Sequence, residues 1–98
     1  MDVDYGDEDL RRLEVDPAFT GGFAVEIVRS FRNKAWFIRQ CMDERDIKAM
    51  RGLNFEKLKP PRDHEFSIRL NKQWRLIFEL VAGDRGKTVM IVGIEDYH

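Results

Sequence analysis

The sequence predicts an α+β domain in which helices pack on one face of a small antiparallel or mixed sheet of about four to five strands. Apolar side chains recur with helical spacing from about Phe23 to Met42. After about Phe55 the spacing changes to the alternation that is typical of β-strands, and a short alternating segment also opens the chain. Because 98 residues are too few for two separate cores, we expect one domain spanning residues 1–98.

The first third of the chain predicts a strand followed by a helix. Residues 2–5 alternate aspartate with Val3 and Tyr5, as in a half-buried strand, and a glycine closes the segment. Asp7 then has the residue type and position of a helix N-cap, and an acidic first turn follows it. Asp16-Pro17 indicates another helix start, which the glycine pair at 21–22 can interrupt or delay.

The middle of the chain predicts a long amphipathic helix and then a short one. The apolar side of the long helix contains Phe23, Ile27, Phe31, Ile38 and Met42. Cys41 lies on the same side, so we interpret it as an inert buried thiol rather than a nucleophile. Asp43 can cap the short helix, Glu44 to Met50, which Gly52 ends.

The last part of the chain predicts four strands. The first two are Phe55 to Lys59 and Glu65 to Leu70, and the turn Pro60 to Asp63 separates them. Trp74 to Val81 forms a third, and a Gly-containing hairpin loop leads to the fourth. Residues 89–92 are apolar on both faces, which predicts a central strand covered on both sides.

Composition excludes several classes of protein. The chain is 43% hydrophobic and 36% charged, which is typical of a globular domain, and it contains no apolar run of the roughly 20 residues that cross a bilayer. Its acidic first residues are unlike a signal peptide. A single cysteine excludes an internal disulfide framework. We therefore expect a cytoplasmic protein that does not contact a membrane.

Charge is distributed unevenly along the chain. Residues 1–30 carry eight acidic and three basic side chains, whereas residues 31–75 carry twelve basic and six acidic ones. The second segment can form a polyanion-binding face, although a solvated surface explains the same count.

The common metal and nucleophile motifs are absent from the sequence. His64 and His98 are the two histidines, and neither forms a ligand-spaced cluster with Cys41. There is no glycine-rich phosphate loop and no Gly-x-Ser-x-Gly motif. We therefore expect neither a metal nor a cofactor.

The polar residues Glu95 to His98 follow the most apolar strand. Ile94, Asp96 and His98 share one face if the strand stays extended. An ordinary solvated tail is the alternative.

Four segments together resemble the HigB-type toxins of the RelE/ParE superfamily. These segments are Lys57–Lys59, Phe66–Asn71, Gln73–Leu76 and Glu95–His98. The resemblance is dense from Leu53 to His98 and looser before it. It implies a RelE-like fold, a toxin that cuts messenger RNA in the ribosomal A site without a metal ion, and neutralisation by a HigA-like helix-turn-helix antitoxin.

By matching position, the functional residues of these toxins fall on Lys59, Arg75, Asp96, Tyr97 and His98. His98 can act as acid or base, because an imidazole titrates near neutrality. Lys59 and Arg75 can neutralise the scissile phosphate. Asp96 can orient His98, and Tyr97 can stack on a base or hold the phosphate.

We expect four further bases of this region to contact RNA: Lys57, Arg62, Arg69 and Lys72. The sequence departs from the toxin pattern in two places. Pro60-Pro61 stiffens the turn before Arg62 and removes two amide donors, and Glu56 stands where some members have histidine. Two alternatives stay open: a non-catalytic ParE-like inhibitor of DNA gyrase, since the superfamily shares one fold across both activities, and a degenerate toxin that acts only through antitoxin binding, which the Pro60-Pro61 turn favours.

Overall fold

A computed structural model describes residues 1–96, so Tyr97 and His98 lie outside the described residues. In chain order, the elements are β1 (Asp2–Tyr5), α1 (Glu8–Val15), α2 (Val25–Gln40), α3 (Glu44–Ala49), a 3-10 turn (Arg51–Leu53), β2 (Glu56–Lys57), β3 (Glu65–Arg69), β4 (Trp74–Gly83) and β5 (Gly86–Asp96).

The five strands form one mixed sheet in the order β1-β5-β4-β3-β2. β1 runs parallel to β5, and the other neighbours are antiparallel. The helices lie in the connection between β1 and β2, which lets the first strand pair with the last. The predicted α+β class with a small mixed sheet is confirmed, and so is the central position of the last strand.

The helices and one face of the sheet enclose the hydrophobic core. Phe31 and Ile38 of α2 are fully buried and pack in one cluster with Leu76 and Phe78 of β4 and Ile91 of β5. Burying side chains of this size contributes about 1.5–3 kcal/mol each, so this layer is the main source of stability. We call the opposite face of the sheet the outer face.

A β-bulge changes which side chains of β5 lie on each face. Phe78 is paired with Ile91, but the preceding residue, Ile77, is paired with Gly93, so Val92 is an extra residue in β5. Ile94 consequently returns to the core side, where it packs against the cluster. Glu95 therefore lies on the outer face.

Both predicted aspartate caps are present. Asp7 Oδ1 accepts a hydrogen bond of 2.8 Å from the backbone N–H of Leu10, at the start of α1. Asp43 Oδ1 accepts one of 2.9 Å from the N–H of Arg45, at the start of α3. Each cap satisfies a donor that a helix start leaves unpaired.

The Asp16-Pro17 pair does not start a helix, because residues 16–24 form turns. Gly21 and Gly22 have φ angles of 60° and 86°, which a right-handed helix cannot contain. Arg32 of α2 holds this loop by donating to the carbonyl oxygens of Leu13 and Asp16 at 2.9 Å and of Phe19 at 3.1 Å. The long helix consequently begins at Val25.

Three boundaries and contacts also differ from the prediction. Met42 is not a core residue, since α2 ends at Gln40 and Met42 is 88% exposed. β2 contains only residues 56–57, because Phe55 turns into the core against Phe66 and Phe78. Residues 90 and 92 are only half-buried, so the outer face of the last strand is not fully covered.

Within residues 1–96, no helix combines the length and apolar character that crossing a membrane requires.

Candidate active site

Two arginines and a glutamate form a row across the outer face. Arg69 of β3 is paired with Arg75 of β4, and Arg75 is paired with Glu95 of β5. Because direct partners on neighbouring strands lie on the same face, about 5 Å apart, these side chains form one charged cluster. The row lies where β5 reaches its carboxyl end, from which the chain continues into Tyr97 and His98.

Arg75 is almost entirely buried, with 5% of its surface exposed. Its Nε donates to Ser67 Oγ at 3.0 Å, and Nη2 donates to the Ser67 carbonyl at 3.3 Å and to the carbonyl of Asn54. Ser67 has no exposed surface. The Arg75 side chain therefore joins β4 to β3 and to the residues that precede β2, which is a structural role at a position predicted to contact phosphate.

Arg62 reaches from the β2–β3 loop to two acidic residues of the sheet. Its Nη1 and Nη2 donate to the two carboxylate oxygens of Glu95 at 3.0 and 2.6 Å, and its Nε donates to Glu65 at 2.7 Å. The hydrogen bonds from Glu95, and then from Glu65, raise the pKa of Arg62. Since Glu65 begins β3 and Glu95 lies near the end of β5, the guanidinium is held across the outer face.

The three predicted lysines are exposed, but they do not all lie on the same side of the sheet as the charged cluster. Lys57 is paired with Phe66, whose ring packs against the core, so Lys57 lies on the opposite side of the sheet from the row. Lys59 follows β2, and its carbonyl accepts a 2.9 Å hydrogen bond from the N–H of Arg62. Lys72 lies in the β3–β4 turn. The structure therefore separates Lys57 from Arg69 and Arg75.

Asp96 lies on the other face from Arg75 and Glu95. It is paired with Trp74, and its Oδ2 accepts a hydrogen bond of 2.9 Å from Gln73 Nε2. Ile94 and Asp96 share a face, as predicted, whereas the predicted positions of Tyr97 and His98 fall outside the described residues.

The sequence did not indicate four residues that accept hydrogen bonds from Arg62 or Arg75: Asn54, Glu65, Ser67 and Glu95. The spacing of Arg62 and Glu65 is a detectable signal, because three residues across a tight turn bring opposite charges together. Glu95 gives no comparable signal, since its face depends on the bulge at Val92.

The structure also bears on the Cys41 thiol and on metal binding. Cys41 is buried, as predicted, and this burial raises the pKa of its thiol, which disfavours the reactive thiolate. Across the part of the chain that the structure describes, histidine, cysteine and acidic side chains form no group of three that could hold a metal ion.

Comparison with solved structures defines the class of the fold. The chain is similar to the "YoeB/ParE toxin from Agrobacterium tumefaciens", with a TM-score of 0.58, 12% sequence identity, and 100% of each chain covered. At this identity the likeness establishes the fold, which is that of a RelE-like toxin. A comparison with curated proteins finds no match.

Comparison with family models then identifies the family. Residues 5–98 match the HigB-like toxin family, described as "RelE-like toxin of type II toxin-antitoxin system HigB". Because the match covers nearly the whole chain, the protein belongs to this family. It is a toxin of a type II toxin–antitoxin system, and its partner is an antitoxin.

Proposed function

We propose that this toxin is a ribosome-dependent endoribonuclease that cuts messenger RNA during translation in the cytoplasm and is neutralised by a HigA-like antitoxin. The observation that supports this most directly is the row of Arg69, Arg75 and Glu95, with Arg62 above it. Cations gather there at the end of the sheet from which the chain continues into Tyr97 and His98, and the proposal requires that these two residues reach a phosphate bound at the row.

The proposed chemistry uses no metal ion. The ribose 2′-oxygen attacks the phosphorus and the bond from phosphorus to the 5′-oxygen breaks. His98 takes the proton of the 2′-hydroxyl or gives one to the leaving 5′-oxygen, water makes the other proton transfer, and Asp96 orients His98. Lys59 stabilises the charge that develops on the phosphate, and Tyr97 stacks on a neighbouring base. Such proton-transfer and charge-stabilising groups each typically contribute about two to four decades of rate.

Arg69 and Arg75 have different parts in this proposal. Arg69 is exposed and forms no ion pair within residues 1–96, so its guanidinium is available to a phosphate. Arg75 is nearly buried and bonded to Ser67, so it supports the site from below unless RNA binding moves it. Lys72 adds positive charge at the β3–β4 turn beside the row, whereas Lys57, on the other side of the sheet, attracts RNA only at long range.

RNA must also compete for Arg62. Phosphate oxygens replace the carboxylates of Glu65 and Glu95, and the exchange is feasible because the Arg62–Glu95 pair is about half exposed. The proposed function therefore requires Arg62 to move on binding.

The same contacts favour a second candidate, a degenerate toxin that acts only through its antitoxin. Arg75 is occupied by the protein's own Ser67 and Asn54, and Arg62 by two carboxylates. If RNA does not displace these partners, no cationic phosphate site forms at Arg62 and Arg75.

Mapping messenger RNA 5′ ends after induction in growing bacteria tests the proposal. We expect codon-phased cleavage by the wild type, its loss in His98→Ala, and a strong reduction in Arg69→Ala. Arg85→Ala is the matched control, because Arg85 is an exposed arginine in the β4–β5 loop. Its cleavage is expected to equal that of the wild type.

The other outcomes separate the alternatives. Growth arrest without cleavage contradicts the nuclease and requires a gyrase supercoiling assay for the ParE-like inhibitor. Neither arrest nor cleavage supports the degenerate toxin.

A further inference from the structure

The solvent side of α2 carries an apolar groove that the proposed RNA site does not use. Trp36 and Met50 both line the groove, and they are 64% and 50% exposed. The groove has a volume of about 370 Å³ and is lined by Asn33, Lys34, Trp36, Phe37, Met50 and Leu53. An indole left this exposed on a regular helix is a common anchor of protein interfaces.

A second depression, of about 290 Å³, lies on the other flank of the same helix. Its lining includes Val25, which is 64% exposed, and it shares Asn33 with the first groove. Val25, Arg29, Asn33 and Trp36 have spacings of four, four and three residues, so they form one stripe along α2. We call this stripe and its two flanking grooves the α2 face.

Positive charge surrounds the α2 face. Arg29 and Lys34 lie on the helix, and Lys48 and Arg51 flank Met50. None of these four forms an ion pair within residues 1–96, although Lys48 lies 5.3 Å from the centre of the Phe55 ring. One exposed acidic side chain, Glu26, lies on the helix beside Arg29, and Glu44 of α3 is paired with Lys87 at 2.6 Å, so bases outnumber acids around the α2 face. The surface therefore fits an occupant with apolar anchors between acidic residues.

We propose that the α2 face binds an acidic, apolar-anchored segment of the antitoxin. A protein segment fits better than RNA, because valine, methionine and leucine line the grooves, and these offer no hydrogen bonds to bases. Because α2 packs on the core side of the sheet, the occupied α2 face lies on the far side from the Arg69–Arg75 row. The antitoxin can therefore hold the toxin without filling the RNA site. This inference rests on the toxin family, and not on the nuclease activity proposed above.

The test compares two identical substitutions of exposed apolar residues. Trp36→Glu places a negative charge in the groove, whereas Met42→Glu places one outside it, at a side chain that is 88% exposed. Binding to the purified antitoxin of the same system is measured by calorimetry. We expect Trp36→Glu to weaken binding about 30-fold or more, as loss of an interface anchor does, and Met42→Glu to change it less than about threefold.

Two further measurements keep the test independent of folding defects. Lys34→Glu with Arg51→Glu keeps all the apolar side chains of the groove and is expected to weaken binding in a salt-dependent way. In a Trp74→Phe background, emission from Trp36 is expected to shift to shorter wavelength when antitoxin covers it. Unchanged binding in both charged variants, or unchanged emission on complex formation, overturns the proposal.

Growth assays separate this proposal from the nuclease proposal. We expect the Trp36→Glu toxin to remain as toxic as the wild type but to escape its antitoxin. If the protein cleaves no RNA, the calorimetry still decides the role of the α2 face. If Trp36→Glu lowers affinity for RNA and leaves antitoxin binding unchanged, the surface binds nucleic acid and the proposal is wrong.

Discussion

Replacing Arg75 is expected to destabilise the protein far more than replacing Arg62. Arg75→Ala leaves the buried Ser67 hydroxyl and the Asn54 carbonyl without their guanidinium donor. Leaving the buried Ser67 hydroxyl unsatisfied costs about 1–3 kcal/mol, and loss of the hydrogen bond to the part-buried Asn54 carbonyl adds about 1 kcal/mol, so we expect a loss of about 2–4 kcal/mol. That is a large part of the roughly 5–15 kcal/mol by which small domains are stable.

Arg62→Ala is the matched control, because Arg62 and Arg75 each donate three side-chain hydrogen bonds to residues 1–96 on the same face. Its side chain is 45% exposed and its partner Glu95 is 46% exposed. Exposed ion pairs contribute about 0–1 kcal/mol, since water competes for both charges. The two variants therefore separate a buried guanidinium from an exposed one.

Urea unfolding followed by circular dichroism measures both effects. With a slope of about 1–3 kcal/mol per molar urea, Arg75→Ala is expected to lower the midpoint by about 1 M or more. Arg62→Ala is expected to lower it by less than about 0.5 M under the same conditions. Equal midpoints for the two variants would refute the structural role assigned to Arg75. Loss of cleavage in Arg75→Ala is then informative only at a temperature where that variant is folded.

Further predictions concern the core and the helix caps. Phe31→Ala is expected to cost about 3–5 kcal/mol in urea unfolding, because a fully buried ring leaves a cavity between α2 and the sheet; a cost below about 1 kcal/mol would contradict this packing. Asp7→Ala is expected to cost about 0.5–2 kcal/mol through loss of the α1 cap, and the exposed Asp9→Ala is its control. Hydrogen bonds from the Arg45 side chain, and then from its backbone N–H, lower the pKa of Asp43 from its usual 3.8 to about 2. Because the folded state favours the carboxylate, its contribution is complete above about pH 4 and disappears as the pH falls to about 2. Thermal melts between pH 2 and 5 should show a shallower acid loss in Asp43→Asn, and an unchanged slope would contradict the assignment.

The fold was predictable wherever a short stretch of sequence determines its own structure. The period of α2 and the caps at Asp7 and Asp43 depend on residues within two turns of each other. Met42 was misplaced because helical spacing continues in the sequence for two residues beyond the last helical residue, Gln40. The pattern cannot show where a helix stops when no glycine or proline marks its end.

The site was predictable in its residue types but less so in its arrangement. The segment containing Arg75 matched toxins, yet burial of this arginine depends on Ser67 and on the carbonyl of Asn54, 21 residues away. Lys57 faces away from the row because of its register with Phe66. Both properties arise from tertiary contacts, which alternation along one strand does not encode.

The pairing of the first strand with the last has a consequence for the order of folding. Asp2 is the partner of Thr88, so β1 stays without its neighbour until β5 has been synthesised. β4 also pairs with β5. The pairing of β1 with β5 joins residues that are far apart in sequence, and such pairings form slowly because a large loop must close first. The sheet is therefore completed only after β5 has been made. A nascent chain without residues 86–96 lacks the strand that joins β1 to β4, so the toxin fold cannot form on it.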